Sequence, residues 1–504
     1  MAMSPSWTWP SASVGLQAVF VAAVLISAWD GLIPTFGTPF PPPFSAKEQH
    51  SDSRWRANNY VHEDGILPFQ LCGASSAYPG APRGTATFIH GNRRYRVVVT
   101  AASVWGESQS NGQPKRADHV EFLAFFSEEL TSCLHVWGHC QSPIHRVGTI
   151  PVACRINGSS AWLSGSLRAG GNNIIIVCPA GHTSFFDNKS VSIVLGTVAS
   201  VLISGDDVSL SPAHQNNTIV ANLCYEHVDT VTDIVICTQP HFFSEGSQFW
   251  RGSPKYPGES TLLEAFLLHN VRNVKSSQLV MNDLGEAMRK RMAPFLSFGD
   301  FHYRTHWNLF QELPGMSAEV YAFESLAEST CMWEQRIRSR WVQILHAVDN
   351  FFVPMCYDCS YSTVLSRINR SEFSAISVPM AEAFTPPAAP DFSGLNVLLR
   401  FSLIGPELFP GRQTPIGNPR HFDDTDIHKF VAPRSSARGY MDEASSIVAG
   451  LHTVHIMALA RPERDVHAGL QDEWYHELGL RLQLLLETFA SRAEDGGMLR
   501  IVND

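Results

Sequence analysis

Runs of β-branched and aromatic residues dominate the chain from residue 66 to about residue 225. The clearest runs are "YRVVVTA" from Tyr95, "NNIIIVC" from Asn172 and "VSIVLGTVASVLIS" from Val191. Glycine, asparagine, serine and proline separate these runs, a pattern that predicts strands connected by turns. We therefore expect a β-rich accessory domain over residues 66–225.

The pattern changes after Asp233, where the short apolar strand "DIVICTQP" begins. Helical apolar spacing follows in "TLLEAFLLHNV" and "DLGEAMRKRMAPFL", and "WVQILHAV" indicates a further buried strand. Strands that alternate with helices predict an α/β domain with a mostly parallel sheet flanked by helices. We expect this second domain over residues 226–504.

The first 65 residues contain an apolar segment followed by a proline-rich one. Met1 to Trp29 carries no charged side chain, and Ala12 to Ala28 is apolar apart from serine and one glutamine. This segment predicts a transmembrane signal anchor over residues 1–30, with a cleaved signal peptide as the alternative. The prolines over residues 31–65 predict a semi-rigid stem. The layout is typical of a single-pass type II membrane protein.

Composition and charge narrow the class of protein. Hydrophobic residues make up 44% of the chain and charged residues 17%, as in folded globular proteins. The net charge of -10 argues against a nucleic-acid partner. Ten cysteines fit an oxidising compartment in which several of them pair. If the body is lumenal, four sequons predict N-glycosylation, at Asn157, Asn188, Asn216 and Asn369.

Two acidic residues follow predicted strands. In open α/β sheets, ligands bind beyond the carboxyl ends of the strands, which is where Asp349 lies if "WVQILHAV" is a strand. A carboxylate there can hold a divalent cation that neutralises a diphosphate, whereas the alternative is a capping or turn aspartate. Asp283 either binds a nucleotide ribose or caps the helix that follows it.

Other motifs give weaker signals. "CLHVWGHC" over residues 133–140 has zinc-binding residue types without a zinc spacing, and we interpret it as disulfide cysteines with surface histidines. "CYDC" at Cys356 lacks the setting of a thioredoxin-like motif and also indicates disulfides. The sequence contains no glycine-rich phosphate loop and no G-x-S-x-G elbow, which weakens kinase, dehydrogenase and α/β-hydrolase interpretations.

The segment from about Asp233 to His467 resembles glycosyltransferase family 92. "IVICTQP" is similar to the "VVCTSP"-like strand that opens the family's domain. "ESLAESTCMWEQRIRSRWVQILHAVDNFFVP" is similar to the family's "Q..A..DC..r.r...kWv.f.DvDEF.vP" pattern. "HKFVAP" is similar to its "K.ivrP" element, and "VHAGL" retains one histidine of its "HYR" ending.

The resemblance implies a glycosyltransferase-A-like fold and a Golgi membrane enzyme. Such an enzyme moves a hexose, here galactose from UDP-galactose, with inversion to a glycan or glycoprotein acceptor. It uses a divalent cation, Mn²⁺, which the resemblance assigns to Asp349. The implied donor-binding residues are Thr238, Asn282, Asp283 and Lys429. The candidate catalytic bases are Glu324, His455 and His467.

Departures from the family pattern support an alternative. Ala347 replaces the first aspartate of the D-x-D motif, and Asn350 replaces the glutamate that follows it. Loss of oxygen ligands weakens cation binding, so the alternative is a catalytically degenerate lumenal protein that binds glycans. A secreted hydrolase would need two carboxylates facing one cleft, and nothing in the sequence indicates them.

Overall fold

The computed structural model describes about two fifths of the chain, all of it within one compact unit, Trp55–Asp504. The described residues are 65–72, 84–90, 92–108, 114–128, 134–136, 139–141, 150–157, 161–171, 173–181, 189–196, 218–228, 231–240, 277–282, 301–304, 324–345, 350–352, 365, 368, 370, 372–384, 397–400, 403–409, 414–426, 429–442, 445–446, 453–456, 470–471, 476, 479–480 and 483–484. Within these ranges no helix is both long and apolar enough to span a membrane. The segment predicted as an anchor lies outside them.

The described residues before residue 226 contain twelve strands. They are β1 (Ile66–Leu67), β2 (Phe69–Leu71), β3 (Thr85–His90), β4 (Arg93–Ser108), β5 (Pro114–Glu128), β6 (Leu134–Val136), β7 (His139–Gln141), β8 (Val152–Ile156), β9 (Leu163–Gly170), β10 (Asn173–Pro179), β11 (Lys189–Leu195) and β12 (Thr218–Tyr225). The strands predicted from Tyr95, Asn172 and Val191 are present as parts of β4, β10 and β11.

Ten of these strands form one antiparallel sheet that curls into a near-barrel. Its order is β1, β4, β5, β10, β9, β8, β11, β12, β2, with β3 paired to β4. The edge strands β1 and β2 are separated in sequence only by Pro68, so the two edges of the sheet must meet. A disulfide between Cys72 and Cys224 fastens β2 to β12 at this junction. We call this sheet the barrel.

The barrel has a buried interior and a buried outer patch. Along β10, Ile174 and Ile176 pack into the interior with the buried Cys154–Cys178 disulfide. Ile175 lies between them and belongs to a second core outside the barrel, together with Leu123. Side chains alternate between the faces of a strand, so an unbroken apolar run is needed where both faces are covered. The apolar "NIIIVC" run of β10 meets this need.

The described residues of the second half of the chain contain fourteen strands and two helices. The strands are β13 (Thr232–Pro240), β14 (Ser277–Asn282), β15 (Phe301–Arg304), β16 (Ser339–Leu345), β17 (Asn350–Phe352), β18 (Phe373–Ile376), β19 (Met380–Phe384), β20 (Leu403–Phe409), β21 (Ile416–Gly417), β22 (Phe422–Asp426), β23 (Lys429–Pro433), β24 (Gly439–Met441), β25 (Thr453–Ile456) and β26 (Leu470–Gln471). The helices are α1 (Glu324–Gln335) and α2 (Val397–Arg400).

These strands form two larger sheets and a hairpin. The seven-stranded sheet has the order β15, β14, β13, β16, β21, β18, β24, and its first four strands are mutually parallel. The five-stranded sheet has the order β17, β25, β19, β20, β26. The remaining pair, β22 and β23, is an antiparallel hairpin that packs with α1.

The prediction of a mostly parallel α/β domain of the glycosyltransferase-A type is wrong. Most pairings among the described strands are antiparallel, including those of β21 with β16 and β18 and of β20 with β19 and β26. The expected alternation of strand and helix is described only around β13, α1 and β16. Beyond β16 the described strands are short and most of their pairings are antiparallel, a type that needs no crossover helix, although β18 with β24 and β19 with β25 are parallel. The helices predicted in "TLLEAFLLHNV" and "DLGEAMRKRMAPFL" lie outside the described residues.

Candidate functional site

The four parallel strands β15, β14, β13 and β16 end at one edge of their sheet. Thr238 pairs with Leu345, the last residue of β16, and Pro240 pairs with Asn282, the last residue of β14. Two of the predicted donor-binding residues, Thr238 and Asn282, therefore lie at the ends of adjacent strands. Ligands of parallel sheets bind beyond this end of the strands. We call it the carboxyl edge.

Helix α1 begins at the carboxyl edge. Cys331, in the middle of α1, is disulfide-bonded to Cys237 of β13, and α1 leads through a short turn to the amino end of β16. The helix therefore runs antiparallel to β13. From Cys331 back to Glu324 the helix rises about 10 Å. The strand from Cys237 to Pro240 spans a similar distance of about 10 Å, so Glu324 lies level with the end of β13.

The tip of the β22–β23 hairpin lies beside the first turn of α1. The hydroxyl of Ser325 donates a hydrogen bond of 2.6 Å to the carbonyl of Thr425. The next residue, Asp426, pairs with Lys429 across the hairpin. The Lys429 side chain is 61% exposed, and its Nζ lies 3.9 Å from Oδ2 of Asp426. The hairpin that contains the exposed Lys429 therefore contacts the turn of α1 that Glu324 begins.

The five-stranded sheet contains His455, one of the three candidate catalytic bases. Asn350 pairs with His455, which also pairs with Glu382 on the other side. Leu345 ends β16 four residues before Asp349, and Asp349 immediately precedes Asn350. The described residues that flank this segment, Leu345 and Asn350, therefore end a strand of the seven-stranded sheet and begin a strand of the five-stranded sheet.

Several predicted site residues have no structural description. Those outside the described residues are Asp283, Asp349, His467, Asn188, Asn216 and Asn369. Asn157 follows β8 and is exposed, as a glycosylation acceptor has to be. The described part of "CLHVWGHC" forms the hairpin β6–β7, in which His135 pairs with Cys140. Among the described residues, no group of three histidine, cysteine or acidic side chains is arranged to hold a metal.

A buried ionic cluster joins the barrel to α1 and the β22–β23 hairpin. Glu121 and Asp423 are its two acids, and their side chains are 3% and 4% exposed. Arg434 Nη1 lies 2.8 Å from Oε2 of Glu121 and 2.6 Å from Oδ1 of Asp423. Arg336 Nη2 lies 3.1 Å from Oδ1 of Asp423, and Arg168 donates to both acids. We call these five residues the ionic seam.

Two tryptophans complete the ionic seam. Trp105 donates from Nε1 to Glu121 at 2.8 Å, and the Arg434 guanidinium lies 4.0 Å from the Trp105 ring centre. On the other side, the Arg336 guanidinium lies 3.7 Å from the ring centre of Trp333. Such cation–π contacts stabilise guanidinium groups that have left water. The polar atoms of the seam are directed at one another, so the seam holds the barrel, α1 and the hairpin together.

Opposed effects set the protonation of the ionic seam. Burial alone would raise the pKa of Glu121, but hydrogen bonds from His119 and Arg434 and the charges of Arg434 and Arg336 hold this pKa well below its usual value. Burial lowers the pKa of Arg336 to about 9, helped by Arg434 and opposed by the two acids. Both groups keep their charges at neutral pH.

Asp424 is a further buried acid, and its hydrogen-bond partners described here are neutral groups. Asn173 donates to its carboxylate from the backbone N at 3.0 Å and from Nδ2 at 2.7 Å. Ser329 donates to Oδ1, and the backbone N of Thr425 lies 2.9 Å from the same oxygen. Burial raises the pKa of Asp424 to about 7, although these hydrogen bonds act in the opposite direction. Asp424 thus connects a barrel turn to α1.

Sequence reasoning missed the ionic seam and Asp424. One signal was present, because Glu121 is the only charge in the apolar run "VEFLAFF" of β5, and a lone charge in such a run needs a buried partner. A second signal was the polar stretch "PRHFDDTD", which contains Asp423 and Asp424 in a region without helical or strand periodicity. Neither signal identifies the partner arginines, which come from elsewhere in the chain.

Comparisons with known proteins do not assign the chain to a family. No protein-family model matches the chain, and no curated protein matches it. Among solved structures, a fragment of avian reovirus sigmaC is 10% identical, with 42% of this chain and 91% of the fragment covered and a TM-score of 0.09. A TM-score this low supports no conclusion about fold or function. The resemblance to glycosyltransferase family 92 therefore rests on sequence residues alone.

Proposed function

We propose that the protein is a membrane-anchored glycosyltransferase of the Golgi lumen that moves a hexose from a UDP-sugar to a glycan or glycoprotein acceptor. The observation that carries this proposal is that Thr238 and Asn282 lie where adjacent parallel strands end, and that the first turn of α1, which Glu324 begins, contacts the hairpin that contains Lys429. This edge is where parallel sheets bind ligands. Galactose from UDP-galactose is the donor that the family resemblance favours.

The residue types at the carboxyl edge suit a sugar diphosphate. Thr238 and Asn282 at this edge offer hydroxyl and amide oxygens, and Asp349, which the family resemblance adds, offers a carboxylate. Such oxygens are the ligands that Mn²⁺ and Mg²⁺ prefer. A bound cation would supply neutralising charge to the diphosphate. The ammonium of Lys429 stabilises negative charge that develops on the departing UDP.

Inversion requires one general base and no covalent intermediate. The base takes the proton of the acceptor hydroxyl as that oxygen attacks the anomeric carbon, while the bond from this carbon to the UDP oxygen breaks. Glu324 is the first candidate because it begins α1 at the carboxyl edge. His455 is the second because it pairs with Asn350, next to Asp349.

UDP release from a panel of UDP-sugars tests the proposal. Full-length protein with Mn²⁺ and a glycan acceptor should release UDP from one donor, and Asp349→Ala should slow release about 100-fold because the nascent negative charge loses its stabilisation. Asp118→Ala is the matched control, since it removes an exposed carboxylate from the barrel. No release with any donor, or equal rates for Asp349→Ala and Asp118→Ala, would contradict the proposal.

The alternative is a lumenal glycan-binding protein without turnover. The observation that favours it is Ala347, which leaves Asp349 as the single acid where the D-x-D motif has two. Under this alternative the protein binds immobilised glycans and releases no UDP. Glycan binding that survives Asp349→Ala, combined with no turnover, would favour this alternative over the transferase.

A further inference from the structure

The turn between β9 and β10 connects the barrel to the proposed donor site. Gly171 in this turn has a φ of 88°, a conformation that glycine adopts freely. A Cβ on Gly171 would lie 2.6 Å from Oδ2 of Asp424 and 2.8 Å from Val431 of β23. The turn therefore packs on the hairpin with no space for a side chain, and Asn173 just after it holds Asp424 with two hydrogen bonds.

Further hydrogen bonds connect Asp424 to α1 and to the hairpin tip. Its carboxylate accepts from Ser329 in α1, and Ser325 in the first turn of α1 donates to the carbonyl of Thr425. Glu324 directly precedes Ser325, and Lys429 pairs with Asp426, the residue after Thr425. Asp424, Thr425 and Ser329 are completely buried, so each contact has little freedom to shift.

We propose that the β9–β10 turn of the barrel, acting through Asn173 and Asp424, is the element that positions Glu324 and Lys429 at the carboxyl edge. Asn173 and Asp424 are positioning residues, because neither lies among the groups that would touch a ligand. This inference rests on the proposed function and assigns the barrel a part in it. The barrel would then be required for donor binding.

The chain offers a matched pair of glycine variants. Gly171→Ala introduces a methyl group against Asp424 and also strains the backbone. Gly65→Ala introduces the same strain, since Gly65 has a φ of 71°, but its nearest neighbour is the carbonyl of Gly106 at 3.5 Å. Any difference between the two variants therefore reports the contact of the turn with the hairpin.

Two measurements on the full chain use this pair. Hydrogen exchange should become about tenfold faster at residues 325–330 and 425–430 in Gly171→Ala and not in Gly65→Ala, because the contact that fixes them is displaced. The dissociation constant of UDP with Mn²⁺ should rise about tenfold in Gly171→Ala. In a Lys429→Ala background the same glycine substitution should change UDP affinity little, because the cation that it displaces is already gone.

Each outcome separates the inference from the proposed function. If the unmodified chain does not bind UDP, the proposed function fails and the inference with it. If the unmodified chain binds UDP but the two glycine variants weaken binding equally, only the positioning role is overturned. An equal loss from Gly171→Ala with and without Lys429 would also overturn it, because the turn would then act only through general stability. Asn173→Ala, which is milder, should reproduce the direction of each effect.

Discussion

Two buried acids of this protein show how neighbours decide the state of a carboxylate. Glu121 contacts three arginines of the ionic seam, and its pKa lies below the usual range. Asp424 has neutral hydrogen-bond donors, and burial raises its pKa to about 7. The unperturbed values are 4.5 and 3.8, so the two acids affect stability in opposite pH ranges.

At neutral pH, Glu121→Gln should lower the free energy of unfolding by about 3–5 kcal/mol, because it removes one partner of a buried charged network. Glu121 stays ionised in the folded state to a lower pH than in the unfolded state. Its stabilising effect is therefore present above pH 4.5 and is lost as the pH falls below that value. Urea unfolding between pH 3 and pH 8 measures the difference between this variant and the unmodified chain.

Asp424→Asn should show the opposite dependence of stability on pH. Asp424 keeps its proton to about pH 7 when folded, so its favourable contribution is present below pH 3.8 and is lost as the pH rises through 7. Relative to the unmodified chain, Asp424→Asn should therefore gain stability as the pH rises from 4 to 8. Parallel pH profiles for the two variants would contradict this assignment of the two acids.

At the scale of the element, α1 is a polar helix that is buried on every described side. Its serines, threonine and indole are hydrogen-bonded internally, as Thr330 donates to Thr100 at 2.8 Å and Trp333 donates to the Asp423 carbonyl at 2.8 Å. None of the α1 side chains that the structure describes faces solvent, so the usual amphipathic pattern is missing among them. Its position depends on these partners and on the disulfide between Cys237 and Cys331.

Replacing Cys237 and Cys331 by alanine should destabilise the protein more than replacing Cys154 and Cys178. The first disulfide has a sequence separation of 94 and the second of 24. In the chain-entropy account, the longer loop restricts the unfolded chain more, and the expected difference is about 1 kcal/mol. Denaturant unfolding of both double variants measures it. An equal or reversed loss would indicate that local packing, not loop length, determines the effect.

At the scale of the whole molecule, the barrel and the parallel strands share one core. Ile175 and Leu123 of the barrel pack with Val235 of β13 and Trp333 of α1, and the ionic seam lies beside them. A shared core couples the unfolding of the elements that line it. The boundary near residue 225 that the sequence suggests would in that case not separate two independent folding units.

A single thermal transition is therefore expected for the part of the chain from Trp55 onwards. Differential scanning calorimetry of the full chain should give one peak, and Glu121→Gln should lower its temperature without splitting it. Two resolved transitions, only one of which moves in Glu121→Gln, would show that residues 66–225 and 226–504 unfold separately.

The local sequence pattern predicts which residues form strands but not how these strands pair. The runs at Tyr95, Asn172 and Asp233 are β-branched, so strands follow from local preference. Local preference does not determine whether strands pair parallel or antiparallel. For example, β21 is two residues long and pairs with both β16 and β18 through contacts distant in sequence. Thr238 lies two residues before the end of β13 and Asn282 is the last residue of β14, and the local strand pattern alone gives these positions. The position of Lys429 depends instead on a contact between Ser325 and Thr425.

The contact between Glu121 and Arg434 also imposes an order on biosynthesis. The two residues are 313 positions apart in the chain. At ordinary rates of translation the ribosome needs roughly 15 to 60 s to add that length. During that interval the nascent barrel holds an acid whose later partner has not been synthesised. The barrel is therefore synthesised first, but its ionic seam can form only after Arg434 has been added to the chain.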